Sequence, residues 1–491
     1  MTPRIESKIF ETLDKMPNEP VFCWQNTWWS RAAFHELIDE CESRLTESQF
    51  KKGQKIALLL PNSPIMLAVT IAVWRLGGTI VPIDPKGGYV PILNQILHAD
   101  VFATITYIGC SSLVPLISEE GIPCVITPLD SPGEIIAGRS TDLDSPDTAV
   151  IFYTSGTTGT PKAVPLTHDN IMSFFSSCAG HFTDVTDDDV FFNAIPDFNA
   201  YGLLGNAILP LLLGAKQLIL QSFMPAKKAL ESMKNAEVTV LLTVPSMLSL
   251  IFRALKNGAV SPRSLRYILV GADRLPEKFH KKATDFFGLE IMEGYGLTET
   301  SSVVALPPLG KKKPGTLGTF ISCVKAEIRD ADGNVLPHGG EGNLWLSGDS
   351  VATSYYRNPT LTEERFKDGW FNTSDIAKID EDGYLTLVGR TTDMIFVGGF
   401  KVYSSEVEKV IAEHPDVAEV AVVGIPRPLS GEIVKACIVV KDGHTVTSKE
   451  IIEFCKRKMA YYKVPRIIEF IDIMPRSPIG DILKRNLIHE E

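Results

Sequence analysis

The chain has 491 residues, of which 44% are hydrophobic and 22% charged, and its 48 basic against 59 acidic side chains leave a formal charge of −11. That length predicts two to four folding units, and the composition is that of a folded, soluble chain rather than a disordered one. The acidic balance argues against a nucleic-acid or anionic-membrane footprint, so any anionic ligand must be held by a local site.

The first ten residues, MTPRIESKIF, lack the basic start and apolar stretch of a secretory signal, and no export is expected. Short apolar runs at Lys55–Leu60, Thr79–Ile83, Ala149–Tyr153 and Arg266–Val270 read as strands, and the longer patterns Pro64–Leu76 and Lys227–Asn235 as helices. Their alternation predicts α/β layers with largely parallel strands. The apolar stretch Pro64–Asp84 is broken by Arg75 and the Gly77-Gly78 pair, and Leu203–Leu213 is too short to cross a bilayer. The basic runs Lys51-Lys52 and Lys311–Lys313 read as solvated loops.

Beyond about residue 315 the texture changes to short strands with turn signals at Asp332-Gly333, His338-Gly339-Gly340 and Asp382-Gly383, which predicts an antiparallel, barrel-like portion. A further α+β unit follows, with a helix at Ser405–Glu413, strands at Val417–Val423 and Lys435–Val440, and a helix at Ser448–Met459. The expected division is a large N-terminal domain over 1–388, a hinge at 389–393 and a small domain over 394–491. The eight cysteines, at 23, 41, 110, 124, 178, 323, 437 and 455, show no metal-ligand or redox spacing; they read as reduced, mostly buried thiols of a cytoplasmic protein. The nine histidines are equally dispersed, and no structural zinc site is expected.

The most informative stretch is Thr154-Ser155-Gly156-Thr157-Thr158-Gly159-Thr160-Pro161-Lys162, at the end of the strand Ala149–Tyr153. Five hydroxyls, two glycines and a lysine fall within nine residues. Glycines let successive amides turn toward one anion, hydroxyls donate further hydrogen bonds, and lysine adds a point charge. A flexible Ser/Thr-Gly linker is the competing reading, but linkers rarely leave a buried strand and end in Pro-Lys before another apolar run. A Walker loop fails because Pro161 stands where GxxxxGK requires glycine, and Ala163–Leu166 reads as strand rather than helix.

YTSGTTGTPKAV resembles the signature loop of the acyl-adenylate-forming enzymes, and further motifs follow in that family's order over nearly the whole chain. Gly294-Tyr295-Gly296-Leu297-Thr298-Glu299-Thr300 is similar to the adenine and magnesium motif. Phe371-Asn372-Thr373-Ser374-Asp375 is similar to the ribose motif, with serine in place of its usual glycine. Gly389-Arg390-Thr391-Thr392-Asp393 resembles the hinge, and Pro475–Gly480 the start of the C-terminal catalytic loop. The resemblance implies ATP and Mg²⁺ as cofactors, with Tyr295 stacked on adenine, Thr298 and Glu299 at the α-phosphate and its metal, and Asp375 on the ribose with Arg390 nearby. It implies a two-step reaction. A carboxylate attacks the α-phosphate to give acyl-AMP and pyrophosphate, and a thiol of CoA or an acyl carrier protein then displaces AMP. The small domain takes a different orientation for each step, pivoting at Thr392 with Asp393 beside it. Gly398–Val402 is similar to the segment lining the pantetheine tunnel, which assigns Gly399, Phe400 and Lys401 there.

The family's acyl pocket lies beyond a segment matched here by Pro196-Asp197-Phe198-Asn199-Ala200-Tyr201-Gly202, and Gly271 and Ala272 complete the expected pocket. Asn199 is uncharged and cannot pair with a substrate ammonium, which disfavours an amino acid, although Asp197 lies close in sequence. Leu265–Pro276 and Lys313–Gly318 resemble fatty acyl-CoA and acyl-carrier-protein synthetases, which implies a medium- or long-chain aliphatic acid. An amino or aryl acid is the alternative. One departure stands out: the family places a lysine directly after the glycine of the final loop, and here that position is Asp481. Three readings follow: a substitution introduced to stall the enzyme, a natural variant whose cation comes from elsewhere, or a non-catalytic acyl-nucleotide binder. A luciferase-like oxygenase on this scaffold has no sequence feature in its favour.

Overall fold

The computed structural model describes residues 4–134, 138–139, 141–154, 162–179, 181, 184–272, 275, 278–308, 310–330, 332–390, 394–427, 431–475 and 484–488. Two sheets carry the large N-terminal domain. The first orders its strands as Ile291–Glu293, Tyr267–Val270, Val240–Thr243, Val190–Asn193, Lys216–Ile219, Pro20–Trp24 and Thr27–Ser30. All its neighbours are parallel except the last pair. The second runs Cys124–Ile126, Ala103–Thr106, Lys55–Leu59, Thr79–Pro82, Thr148–Thr154 and Lys162–Thr167, parallel until its final antiparallel hairpin. The α/β expectation holds, and the strands and helices anticipated in this region appear within a residue or two of their expected ends.

The helix Pro64–Arg75 shows why that region is apolar without being a membrane segment. Every residue from Pro64 to Trp74 is buried in the main core, and Trp74 Nε1 donates to the carbonyl of Ala149, 2.7 Å away. Ser63 caps its first turn by accepting from Met66 N, and Pro64 sits at the first helical position, where its missing N–H costs nothing. No helix among the described residues is long and apolar enough to cross a membrane.

The barrel-like portion consists of two antiparallel sheets. Tyr295–Leu297, Ser302–Leu306 and Thr319–Phe320 form one; Val324–Arg329, Gly342–Gly348, Phe366–Lys367, Trp370–Ile379 and Leu385–Arg390 form the other. Among the described residues, the bridge Thr319 to Tyr384 and the backbone hydrogen bonds of Leu385 with Leu317 and Gly318 join them. Gly333, Gly339 and Gly383 all take positive φ, as the turn signals required.

The smaller C-terminal domain begins with the strand Met394–Val397 and has its own core around Val402, Val407, Val422, Ile438 and Ile451. Its central hairpin, Val417–Arg427 with Gly431–Val440, is longer than the sequence implied. Gly424 lies within it, where a Cβ would come 2.4 Å from the Glu432 carboxylate across the hairpin. The eight cysteines are free, and six are buried.

Candidate active site

The hairpin Thr148–Thr154/Lys162–Thr167 sets the first wall of a cleft. Its register pairs Thr154 with Lys162, so the two residues that flank the glycine-hydroxyl loop stand opposite each other at the open end, and both line the cleft. Ser155, Gly156, Thr157, Thr158 and Gly159 lie outside the described residues. Lys162 is only 5% exposed, with Nζ 5.7 Å from the centre of the Tyr355 ring. Burial holds its ammonium below the usual lysine range, an effect that Glu299 and Glu364 partly offset and Arg365 reinforces.

The second wall is the reversal Tyr295–Leu297, Thr298–Thr300, Ser302–Leu306. Gly296 is obligatory there, since a Cβ would sit 1.8 Å from the carbonyl oxygen of Ser302. Thr300 Oγ1 ties the turn by accepting from Leu297 N at 3.0 Å, while Ser301 and Ser302 are held at φ of 59° and 103°. This strained turn presents Thr298 and the buried Glu299 to the cleft; Glu299 Oε1 accepts from the Tyr355 hydroxyl at 2.8 Å. Gly294 and Gly296 also line it.

Tyr295 and Asp375 do not reach the cleft surface. They are 5% and 1% exposed, and the tyrosine hydroxyl donates to Asp375 Oδ2 at 2.6 Å behind the wall. The ribose-motif strand brings Phe371 and Thr373 to the cleft instead. Ser374 takes φ 61°, which explains why a glycine suits that position in similar chains. Arg390 pairs with Asp375 across the sheet through its backbone.

At the acyl end, Asn199 Oδ1 accepts from Gly202 N at 2.9 Å and caps the start of the π-helical segment Tyr201–Ile208. Gly202 itself is buried away from the cleft, packed so closely that a Cβ would lie 2.0 Å from the carbonyl oxygen of Pro196. The ring of Tyr201 lies against Gly205 and Gly271, and its hydroxyl donates toward the carbonyls of Thr243 and Leu269, spanning the gap between helix and sheet. Asn199, Tyr201, Gly271 and Ala272 all line the cleft. Asp197 does not. Its carboxyl is 1% exposed, has no hydrogen-bond partner among the described residues, and is pushed well above the usual carboxylate range by burial. Proximity in sequence therefore did not give it access to a substrate.

The small domain closes the cleft. Gly398 and Gly399 take φ of 58° and 87°, and a Cβ on Gly399 would lie 3.4 Å from Val244. This approach stacks Phe400 on Tyr462, with centroids 4.2 Å apart, and lays it parallel to Phe198 of the large domain at 6.3 Å. Lys401 pairs with Phe396 through its backbone. Thr392, Asp393 and Asp481 lie outside the described residues. Lys484, the nearest described cation after Asp481, donates to Ser404 Oγ at 2.7 Å and lies 3.0 Å from Glu408. Sequence reading missed Tyr355, Arg365 and Tyr462. No motif contains them, and Tyr355 meets Glu299 only across 56 positions of chain.

Residues 9–356 match the AMP-binding enzyme family, and residues 406–480 match the AMP-binding enzyme C-terminal domain. The chain belongs to this family of acyl-adenylate-forming enzymes. It is 35% identical over 353 residues to a long-chain-fatty-acid–CoA ligase of Yersinia pestis, a match spanning 71% of this chain and 63% of that protein. It is 32% identical over 472 residues to the long-chain-fatty-acid–CoA ligase FadD13 of Mycobacterium tuberculosis, covering 92% of this chain and 91% of that one. These relatives are acid–thiol ligases by name. Among solved structures, a double mutant of o-succinylbenzoate CoA synthetase from Bacillus subtilis, bound with its product analogue, superposes with a TM-score of 0.86 at 26% identity over 98% of both chains.

Proposed function

We propose that the protein activates a medium- or long-chain aliphatic acid with ATP as an acyl-AMP and transfers the acyl group to the thiol of CoA or of an acyl carrier protein. The observation that carries this reading is the single cleft that gathers Thr154 and Lys162, Thr298 and Glu299, and Gly399 and Phe400 from three separate parts of the chain. An aryl acid is the second reading, favoured by the o-succinylbenzoate synthetase among the structural relatives.

In the first step the loop from Thr154 to Lys162 holds the ATP phosphates, and the Lys162 ammonium balances charge as the acid's carboxylate oxygen attacks the α-phosphate and pyrophosphate departs. Asp375 accepts from the ribose hydroxyls, exchanging its bond with Tyr295 and freeing that ring to stack on adenine. Arg390 supports the ribose side. Among the described residues no group of three or more potential ligands is poised to hold a metal unaided. The buried Glu299 with the Thr298 hydroxyl nevertheless fits Mg²⁺, which takes one or two carboxylates and completes its shell with phosphate oxygens and water. When bound, that ion would neutralise charge on the phosphate oxygens.

In the second step residues 394–491 act as a mobile domain that turns at 389–393, about Thr392 and Asp393. Gly399, Phe400 and Lys401 then line the channel for the pantetheine arm, whose thiolate attacks the acyl carbonyl as AMP leaves. Asn199, Tyr201, Gly271 and Ala272 shape the acyl pocket, and the Gly202 amide, behind it, holds the Asn199 side chain in place. The eight free thiols support a reducing, cytoplasmic setting.

Aliphatic acids, added with AMP, are expected to raise the unfolding temperature more than any amino acid does, through ligand linkage. Asn199 spends its oxygen on the Gly202 amide, and Asp197 is buried away from the cleft, so neither meets a substrate ammonium. A thermal-shift series across both acid classes checks this, and a larger shift with an amino acid would overturn the substrate assignment.

A further inference from the structure

We infer that Arg365 is a phosphate-binding residue of the nucleotide site, a cation set beside Lys162 that grips the ATP phosphates from the ribose side. This rests on the ATP-dependent reading above and adds to it a residue outside every motif that suggested the reaction.

The charge on the cleft wall is the first observation. Among the described residues that line it, three are charged: Lys162, Arg365 and Glu299. Two cations therefore share the described wall with one carboxylate, in a chain whose overall balance is −11. The remaining loop residues, Ser155 to Pro161, add no charge. Lys162 lies close enough to Arg365 to feel its repulsion, while Glu299 Oε1 already accepts from Tyr355. Two half-buried or buried cations side by side are costly unless an anion joins them.

The second observation is how Arg365 is held. It ends the helix Pro359–Arg365, and its Nε donates to the carbonyl of Asn372 at 3.0 Å, inside the Phe371–Asp375 motif. Its guanidinium carbon lies 5.8 Å from the centre of the Phe371 ring. One edge of the fork is thereby fixed to the ribose strand, whereas Nη1 and Nη2 make no hydrogen bond or ion pair among the described residues. The adjacent Glu363 and Glu364 are exposed and form no ion pair with it. A planar fork anchored at one nitrogen and free at two is suited to phosphate oxygens, which it can engage in pairs. Its position between the ribose strand and Lys162 matches the place where a nucleotide's phosphates leave its sugar. With Asp481 where similar enzymes carry a lysine, and Lys484 engaged by Ser404 and Glu408, Arg365 joins Lys162 as a described cation of the cleft able to sustain adenylation.

Calorimetric titration of the full chain and its Arg365→Gln and Arg365→Lys variants with ATP and with adenosine tests this directly. The glutamine variant is expected to lose ATP affinity by roughly tenfold to a hundredfold while adenosine affinity stays within about twofold, and the lysine variant to lose several-fold less. Unchanged ATP affinity in Arg365→Gln would overturn the inference. An equal loss of ATP and adenosine would also overturn it, by marking Arg365 as architecture for the Asn372 strand. Should Arg365→Gln fail to fold, Arg365→Lys decides alone, since a phosphate contact shifts the ATP-to-adenosine ratio and a structural one does not. If the parent binds adenosine and ATP at no measurable affinity, the ATP-dependent reading itself fails and this inference with it.

Discussion

Replacing Asp481 with lysine is expected to raise acid-dependent pyrophosphate release by about two to three powers of ten, with little change in the thiol step. The chemical basis is the sign of one charge. By resemblance, the position directly after the final loop's glycine is expected to face the α-phosphate and the attacking carboxylate, where an aspartate would oppose a polyanion. A single well-placed charge contact in a site that excludes water is worth about 10²–10³ in rate, and reversing its sign costs more. Lys484 is no substitute, being held by Ser404 and Glu408 within the small domain. Supplied acyl-AMP bypasses the step in which Asp481 matters, so parent and variant should consume it with CoA or carrier protein at similar rates. Equal pyrophosphate release from Asp481→Lys and the parent would show that the loop is misassigned. Failure of both proteins to turn over supplied acyl-AMP would favour a non-catalytic acyl-nucleotide binder.

The second large effect is structural. Lys55 is wholly buried at the start of a central strand, and its Nζ lies 2.7 Å from Asp144 Oδ2. The same oxygen accepts from the Tyr356 hydroxyl at 2.8 Å, and the Tyr356 backbone N–H donates to Ala163 beside Lys162. Asp144 is fixed by pairing of its N–H with the carbonyl of Gly53. Asp144→Ala leaves an ammonium buried without its counter-charge, which typically costs about 3–5 kcal/mol, whereas Lys55→Met with Asp144→Ala removes both charges and should recover most of the loss. Thermal unfolding checks this: a fall of about 4–6 °C is expected for the single variant. A single variant within about 1 kcal/mol of the parent would contradict the assignment.

How far the site could be read in advance depended on whether partners were local in sequence. The hairpin carrying Thr154 and Lys162 was legible because an apolar strand, a glycine-hydroxyl turn and a second strand are continuous, and register alone then sets the two residues opposite each other. Thr298 and Glu299 were legible only through the resemblance of Gly294–Thr300 to a known motif, in a turn where Gly296 leaves no room for a Cβ. The bond between Tyr295 and Asp375 was not, because it joins positions 80 residues apart. Neither was the pairing of Tyr355 with Glu299, nor the arrival of Arg365 beside Lys162, since both depend on how the barrel-like sheets pack against the hairpin. Asp197 shows the converse: neighbouring a pocket residue in sequence placed it in the core, behind the surface its neighbour Asn199 presents. The C-terminal hairpin runs past the strands expected at Val417–Val423 and Lys435–Val440, continuing through Gly424, which leaves room for the Glu432 side chain on the opposite strand.

The most direct test of the central claim is a product analysis of the nucleotide. The Asp481→Lys protein is incubated with Mg-ATP, with and without a straight-chain aliphatic acid, and the products are separated by chromatography. The account predicts AMP, free or as acyl-AMP, and pyrophosphate in equal amounts, formed only when the acid is present, with the acyl group passing to CoA or carrier protein on addition of thiol. Formation of ADP and phosphate, or nucleotide cleavage indifferent to the acid, would contradict it.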